Sequence, residues 1–186
     1  MIHAPGNDFA TMANLVNDNG SDNPLVTDQL LIAIFWEESL FNNIKQPGGT
    51  AIGFGQIEPS ELKRMNASGD IHVDVGGVLS DPEASVNATA QVLEALFSKL
   101  GKPAGLRGYA GYGFKNDASW KAARQAIING WTSCEQALLN ISSNILDAGD
   151  DPDAVIAALR KSRPFGPDAP TSNGVTWRDA LFPPEP

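Results

Sequence analysis

A run of seven apolar residues at positions 30–36 constrains the fold of this chain more than any other feature. The run is far shorter than the ~20 residues that a membrane-spanning helix needs, so we expect it to lie inside a protein core. Upstream, Asn23 and Pro24 supply a capping side chain and a proline suited to the first helical position. We therefore predict a helix over about residues 25–42. It should be buried on nearly all sides, because the run leaves no polar face.

Two further helices are indicated by Asp-Pro pairs, in which the aspartate caps the helix and the proline opens it. The pair that begins at Asp81 predicts a helix as far as Leu100, which Gly101 ends. The pair that begins at Asp151 predicts a helix as far as Lys161. Both segments have apolar residues at the three- and four-residue spacing of a helix face.

Weaker signals indicate three more helices, over residues 59–65, 117–129 and 132–146, with Gly130 ending the second of them. No alternating strand pattern of any length is present. The predicted fold class is therefore all-α. The glycine-rich residues 45–55 indicate a tightly bent loop or a minimal hairpin, with at most a trace of strand.

The two ends of the chain give less regular patterns. Residues 1–23 are rich in Asn, Asp and Gly and have little periodicity, so we expect a loosely ordered lead-in segment. Prolines are frequent from Arg163 onward, which predicts an extended tail that packs on the surface through Trp177 and Phe182.

Charge and composition exclude several classes of function. The chain has 22 acidic and 13 basic residues, a net charge of -9, so we expect no nucleic-acid partner, because such binding depends on Lys and Arg at the phosphates. The single cysteine, Cys134, excludes an internal disulfide. His3 and His72 lie far apart and outside any zinc motif. We expect no metal and no cofactor. The first residues also lack the pattern of an export signal.

The chemistry is predicted to lie where the apolar helix ends, at Glu37 and Glu38. Glu38 follows Leu31 by seven residues and Ile34 by four, so it shares their buried helix face. Burial raises the pKa of a carboxyl because it disfavours the charged form, and a carboxyl that stays protonated near neutral pH can act as a general acid on a glycosidic oxygen. We expect Glu37 to be solvated.

Three elements around this acid resemble a known family. They are, in order, Glu38-Ser39 with Phe41-Asn42, then Gly53-Phe54-Gly55-Gln56-Ile57-Glu58-Pro59, and Asp81-Pro82. Together they are similar to the signature of the soluble lytic transglycosylase domain, a relative of goose-type lysozyme, over residues 27 to about 113. The resemblance implies that Glu38 is the sole catalytic acid and base, with Ser39 beside it. It also implies that Gly53 and Gln56 lie at the sugar.

Two positions depart from the family pattern. The family has a Tyr-Asn-Ala-Gly element after the long helix, where this chain has two tyrosines near an Ala-Gly pair. If the family element is aligned with a shift of one residue, its tyrosine matches Tyr109, which we favour. Tyr112 remains an alternative, and both are candidate substrate-binding residues. Gly55 stands where the family has a methionine.

The resemblance implies an enzyme that cleaves the glycan strand of peptidoglycan. A lytic transglycosylase, which forms 1,6-anhydromuramic acid with one carboxyl, is favoured because no Asp or Glu lies between Ser39 and Ile57. A hydrolase generally needs a second carboxylate, which only a fold-back of the chain would supply from Glu58, Glu61, Asp70 or Asp74. The alternatives are a lysozyme-type hydrolase, a non-catalytic wall-binding module and a chitin-degrading relative.

The resemblance also suggests how the chain is organised. We expect a lead-in at 1–24, a lysozyme-like catalytic domain at 25–130, and a helical extension with a proline-rich tail at 131–186 that packs on the same domain. Peptidoglycan is the expected partner, which implies action in the periplasm, outside the cell or at the cell wall. We expect a monomer without a membrane span.

Overall fold

The computed structural model describes residues 4–184, so His3 and the last two residues of the predicted tail lie outside the described residues. Within that range the chain forms ten α-helices, joined by loops with isolated β-bridges at Lys45–Ile52, Ile52–Ile57 and Pro170–Thr176. The predicted all-α fold is confirmed. The helices are α1 (Phe9–Asn19), α2 (Asp28–Ser39), α3 (Pro59–Ala67), α4 (Gly77–Ser80), α5 (Pro82–Leu100), α6 (Lys102–Tyr109), α7 (Ala118–Ile141), α8 (Ile145–Ala148), α9 (Pro152–Ser162) and α10 (Trp177–Leu181).

The apolar helix α2 lies at the centre of the molecule. Residues 30–36 are fully buried, and the helix packs against α1, α7 and α9. The predicted bounds of 25–42 are wrong at both ends. Thr27 caps the helix by accepting a hydrogen bond from the backbone N–H of Leu30, and Leu40 ends it in the left-handed conformation. The capping hydroxyl at Thr27 therefore determines the start, not the Asn23-Pro24 pair.

Both helices predicted from Asp-Pro pairs are confirmed. The Asp81 carboxylate accepts from the backbone N–H of Glu83 at the start of α5, which Gly101 ends. Asp151 accepts from the N–H of Ala154 at the start of α9. The short helix α6 after Gly101 was not predicted, because its glycines and lysine gave no apolar periodicity.

The two helices predicted on either side of Gly130 are one continuous helix, α7. A Cβ at Gly130 would lie 3.1 Å from the backbone oxygen of Lys161 and 3.2 Å from that of Ser162. The glycine is therefore needed for the close approach of α9, not to end a helix. Thr132, where the third of these helices was predicted to begin, donates its hydroxyl to the carbonyl of Ile128 within α7.

The lead-in prediction is wrong for residues 9–19, which form α1. Asp8 caps this helix, and Phe9, Met12 and Val16 are fully buried in the core. Trp177 anchors the tail as predicted, because it is buried against Trp36 with their ring centroids 5.8 Å apart. The tail is not extended throughout, because Trp177–Leu181 form α10. The division of the chain into lead-in, domain and extension stays a prediction. In the part of the chain described, every helix is too short or too polar to cross a membrane.

Candidate active site

Glu38 lies in the last turn of α2, at a sharp change of chain direction. Leu40 and Phe41 follow it with φ values of 54° and 59°, a conformation that side-chain-bearing residues rarely adopt. The turn is held by the side-chain amide of Asn42, which donates to the carbonyls of Ser39 and Leu40, each at 2.9 Å. Backbone strain of this kind persists where the surrounding contacts over-determine it. The turn therefore gives Glu38 a fixed position.

The electrostatic surroundings keep Glu38 protonated near neutral pH. Burial, and after it the neighbouring Glu37 carboxylate, raise its pKa to about 7 against the opposing influence of Arg124 and Arg163. The expectation that Glu37 is solvated is wrong. Its side chain is half-buried, and burial raises its pKa against the influence of Arg163.

Two cavities meet at Glu38. The larger, of about 660 Å³, extends toward the N-terminal segment and the tail, and the smaller, of about 350 Å³, extends toward α5, α6 and α7. Glu38, Gln46 and Gln56 line both cavities. A linear polymer that occupies both cavities would therefore cross Glu38, which is the arrangement that an enzyme cutting within a chain requires.

The glycine-rich loop forms the floor between the two cavities. Ile52 and Ile57 exchange backbone hydrogen bonds of 3.0 Å, so the loop closes into the minimal hairpin that was one of the two predicted forms. Gln56 has φ 50°, and its side-chain amide donates to the carbonyls of Ile44 and Gly53 at 3.0 and 2.7 Å. Its side-chain nitrogen braces the loop, which leaves the oxygen as the group able to accept from a sugar.

Gly53 has a packing role in the structure and lines neither cavity. Its φ is 81°, and a Cβ there would lie 2.6 Å from the Ser85 hydroxyl on α5. That hydroxyl accepts from the backbone N–H of Phe54 at 2.8 Å. Gly53 therefore fixes the loop on α5. Ser39 lines the larger cavity, although its hydroxyl donates to the carbonyl of Phe35 at 3.0 Å.

Of the two candidate tyrosines, only Tyr109 lines either of these two cavities. Its hydroxyl donates to the carbonyl of Gly55 at 2.7 Å, and burial, followed by the influence of Glu38, raises its pKa well above the usual value. A Cβ at Gly55 would overlap this hydroxyl and lie 2.5 Å from that of Thr89. The Tyr109 ring thus occupies the space beside Gly55. Tyr112 lies outside the cavities, with the guanidinium of Arg107 5.5 Å from its ring.

Comparison with known proteins now identifies the family. The family model described as the transglycosylase SLT domain matches residues 16–129, more than half of the chain. The chain belongs to this family. Comparison with curated proteins and with solved structures gave no match. SLT domains act on peptidoglycan, so the family implies a peptidoglycan substrate and a lytic, glycosyl-transferring enzyme class.

Several residues that line the two cavities were not predicted from the sequence. Arg124, Trp120 and Phe114 line the smaller cavity, and the Arg124 guanidinium lies 4.1 Å from the centre of the Trp120 ring. Phe114 is 79% exposed beside them. These residues lie on α7 and the loop before it, where no motif distinguishes them from ordinary surface residues. Arg163, from the tail, lines the larger cavity.

The chain folds back so that two of the four candidate second carboxylates reach the smaller cavity. Glu58 and Glu61, at the start of α3, line the smaller cavity. Glu61 is paired with Arg64 at 2.5 Å, and Glu58 accepts from the Thr50 hydroxyl. Asp70 is paired with Lys99 at 2.5 Å, away from the groove. Asp74 accepts from the backbone N–H of Gly76.

Proposed function

We propose that the protein is a lytic transglycosylase that cleaves the β-1,4 bond between N-acetylmuramic acid and N-acetylglucosamine, with Glu38 as its one catalytic acid and base. The observation that carries the proposal is a carboxyl with a pKa of about 7 at the junction of two cavities. A general acid works best with a pKa near the working pH, and a polymer substrate needs binding space on both sides of the acid.

In the proposed reaction, the protonated Glu38 donates its proton to the glycosidic oxygen, and the bond to the muramic-acid C1 breaks. The resulting carboxylate then takes the proton from the C6 hydroxyl of the same sugar. The C6 oxygen bonds to C1 and closes the 1,6-anhydro ring, so Glu38 returns to its protonated form and no water is consumed. Tyr109 and Gln56 are proposed to bind the sugars beside Glu38, because both line the smaller cavity.

A lysozyme-type hydrolase is a second candidate, favoured by the presence of Glu58 and Glu61 in the smaller cavity. We favour the transglycosylase because both carboxylates are already engaged, Glu61 by Arg64 and Glu58 by Thr50. The charges that act on Glu38 come instead from Glu37 and the two arginines. Water activation by a second carboxylate requires that carboxylate to face the reacting sugar.

The test is mass spectrometry of muropeptides after purified sacculi are digested in ¹⁸O-labelled water. A transglycosylase gives anhydro products without the label, whereas a hydrolase gives reducing-end products that each carry one labelled oxygen. We expect unlabelled anhydro products. Glu38→Gln should lower the rate by at least ~10² with the fold intact, and Glu37→Gln, the adjacent control, should have a much smaller effect.

Substitutions of the second carboxylates separate the two candidates further. Glu58→Ala and Glu61→Ala should each leave substantial activity, and so should Asp70→Ala and Asp74→Ala. If either groove carboxylate proved as essential as Glu38, with labelled products, the hydrolase would be the correct assignment. We further propose action in the periplasm, outside the cell or at the cell wall, by a monomer that needs no cofactor.

A further inference from the structure

The larger cavity has one wall from the SLT domain and one from outside it. Glu38, Gln46 and Gln56 belong to the matched residues 16–129. Six other lining residues precede or follow the match, namely Ala4, Pro5, Gly6, Arg163, Ser172 and Asn173. These six residues, which we call the added wall, lie outside the matched family domain.

The added wall is held in place by contacts with α2. Ser162 donates to the carbonyl of Ala33 at 2.9 Å, and the Trp36 indole donates to the carbonyl of Arg163 at 3.3 Å. The Phe165 ring packs on Trp36 with the centroids 5.1 Å apart. Farther along, Ser172 accepts from the backbone N–H of Ala4 at 3.2 Å, which joins the two outer segments. A wall fixed in this way can bind a ligand at little ordering cost.

Arg163 is the charged residue of this wall. Its guanidinium donates to the backbone carbonyl of Glu37 at 2.9 Å, which holds it near the catalytic helix end. Four ion pairs join side chains within residues 4–184, and Arg163 takes part in none of them. The residue is exposed, and a guanidinium has several donors in a planar fork that fits a carboxylate. Its charge acts on the pKa of the neighbouring Glu37 and Glu38 without an ion pair to either carboxyl, so its donors can bind an anionic ligand in the groove.

We propose that Arg163 binds a carboxylate of the glycan strand, so that the added wall selects muramic-acid glycans over neutral ones. The inference rests on the proposed function, because it takes the groove to hold a peptidoglycan strand. Two sources supply this chemistry: the lactyl group of muramic acid once its peptide is removed, and the carboxylates of the peptide stem. Neutral N-acetylglucosamine oligomers have neither.

The experiment measures binding in a Glu38→Gln background, by calorimetry, so that no cleavage is needed. Three tetrasaccharides serve as probes: a muropeptide with its stems, the same saccharide with the stems removed, and tetra-N-acetylglucosamine. Arg163→Gln should weaken binding of a carboxylate-bearing probe by at least about tenfold, the scale of a charge-assisted hydrogen bond. Binding of the neutral oligomer should not change. The matched control is Arg160→Gln, which removes the same charge from an exposed position outside the cavity.

Each outcome has a defined meaning. Loss for the stem-bearing probe alone assigns the stem carboxylates, and loss for the stem-free probe alone assigns the lactyl carboxylate. Loss for both shows that Arg163 binds either of these carboxylates. Equal loss for the neutral oligomer, no loss for any probe, no binding of any probe by the parent, or the same loss in Arg160→Gln would overturn the proposal. If the wild-type protein cleaves nothing while the carboxylate-dependent loss is found, the proposed function fails and the carboxylate site stands.

Discussion

Replacing Glu38 by glutamine should make the protein more stable, and the gain should grow with pH. Glu38 has a pKa of about 7 in the folded protein, against 4.5 for an ordinary glutamate. The folded state therefore holds the proton more tightly than the unfolded state between these two values. Ionising the buried carboxyl costs stability as the pH rises through this window, and the full penalty is present above pH 7. Glutamine has nearly the same shape and no charge, so it avoids the penalty.

The size of the effect follows from the same pKa. A rise from 4.5 to about 7, at about 1.4 kcal/mol per pH unit, corresponds to about 3 kcal/mol. Solvent in the two cavities screens part of this, so we expect the gain in free energy of unfolding to be about 2–3 kcal/mol near pH 8. Near pH 4 it should almost vanish, because both states then hold the proton.

Urea unfolding of the wild type and Glu38→Gln near pH 4 and pH 8 measures this difference. Glu37→Gln is the neighbouring control. Its gain should be in the same direction but smaller, because Arg163 opposes the effect of burial at Glu37. An equal stability difference for Glu38→Gln at the two pH values would refute the reasoning. Glu38 would then not be desolvated in the folded protein.

Three further predictions concern other positions. The rate of glycan cleavage should fall above about pH 7 as Glu38 ionises. Arg124→Gln should move this fall to higher pH, because Arg124 lowers the pKa of Glu38. A pH–rate profile in which the fall does not move would contradict this. Gly55→Met should lower the unfolding free energy by about 1–3 kcal/mol through its overlap with Tyr109, as chemical denaturation would measure. Burial raises the pKa of Asp28 to about 6, so the folded protein loses stability as the pH rises from about 4 to about 6. Asp28→Asn should therefore raise the free energy of unfolding near pH 7 by about 1 kcal/mol, a value reduced because Asp28 is partly exposed. Equal thermal stability of Asp28→Asn and wild type at pH 7 would exclude this.

The parts of the fold that could be predicted are those determined by local chemistry. An aspartate followed by proline both caps a helix and fits its first position, so α5 and α9 begin where the sequence indicates. The first helix also has a local signal, with Asp8 as cap and Phe9, Met12 and Val16 at helical spacing. Its many Asn and Asp residues led to the wrong expectation of a loose segment.

Gly130 shows why other features could not be predicted. A glycine within a helical pattern fits either a helix end or a close crossing of another backbone. Only the position of α9 distinguishes these possibilities, because the contacting carbonyls belong to Lys161 and Ser162. Tertiary structure decides the role of such a residue, and the local sequence contains no information about it.

The same contrast holds for the candidate site. Glu38 could be selected from the sequence, because its helix face and the family motif are local features. Arg163 could not, since its hydrogen bond to the Glu37 carbonyl joins residues 126 positions apart. Gly53 belongs to the family motif, which predicts a position at the sugar, whereas in the structure it packs against α5. A motif identifies the residues that a loop needs, without distinguishing those that face the ligand from those that fold the loop.

The buried helix α2 ends at the acid whose pKa is raised by burial. Seven consecutive apolar residues require cover on every side, which α1, α7 and α9 provide. The tail completes the cover at the C-terminal end of the helix, where Phe165 and Trp177 pack on Trp36. Glu38 lies in the last turn of the same helix, and burial of its carboxyl raises its pKa. Residues outside the SLT match therefore both pack on the helix that carries the acid and line the cavity beside it.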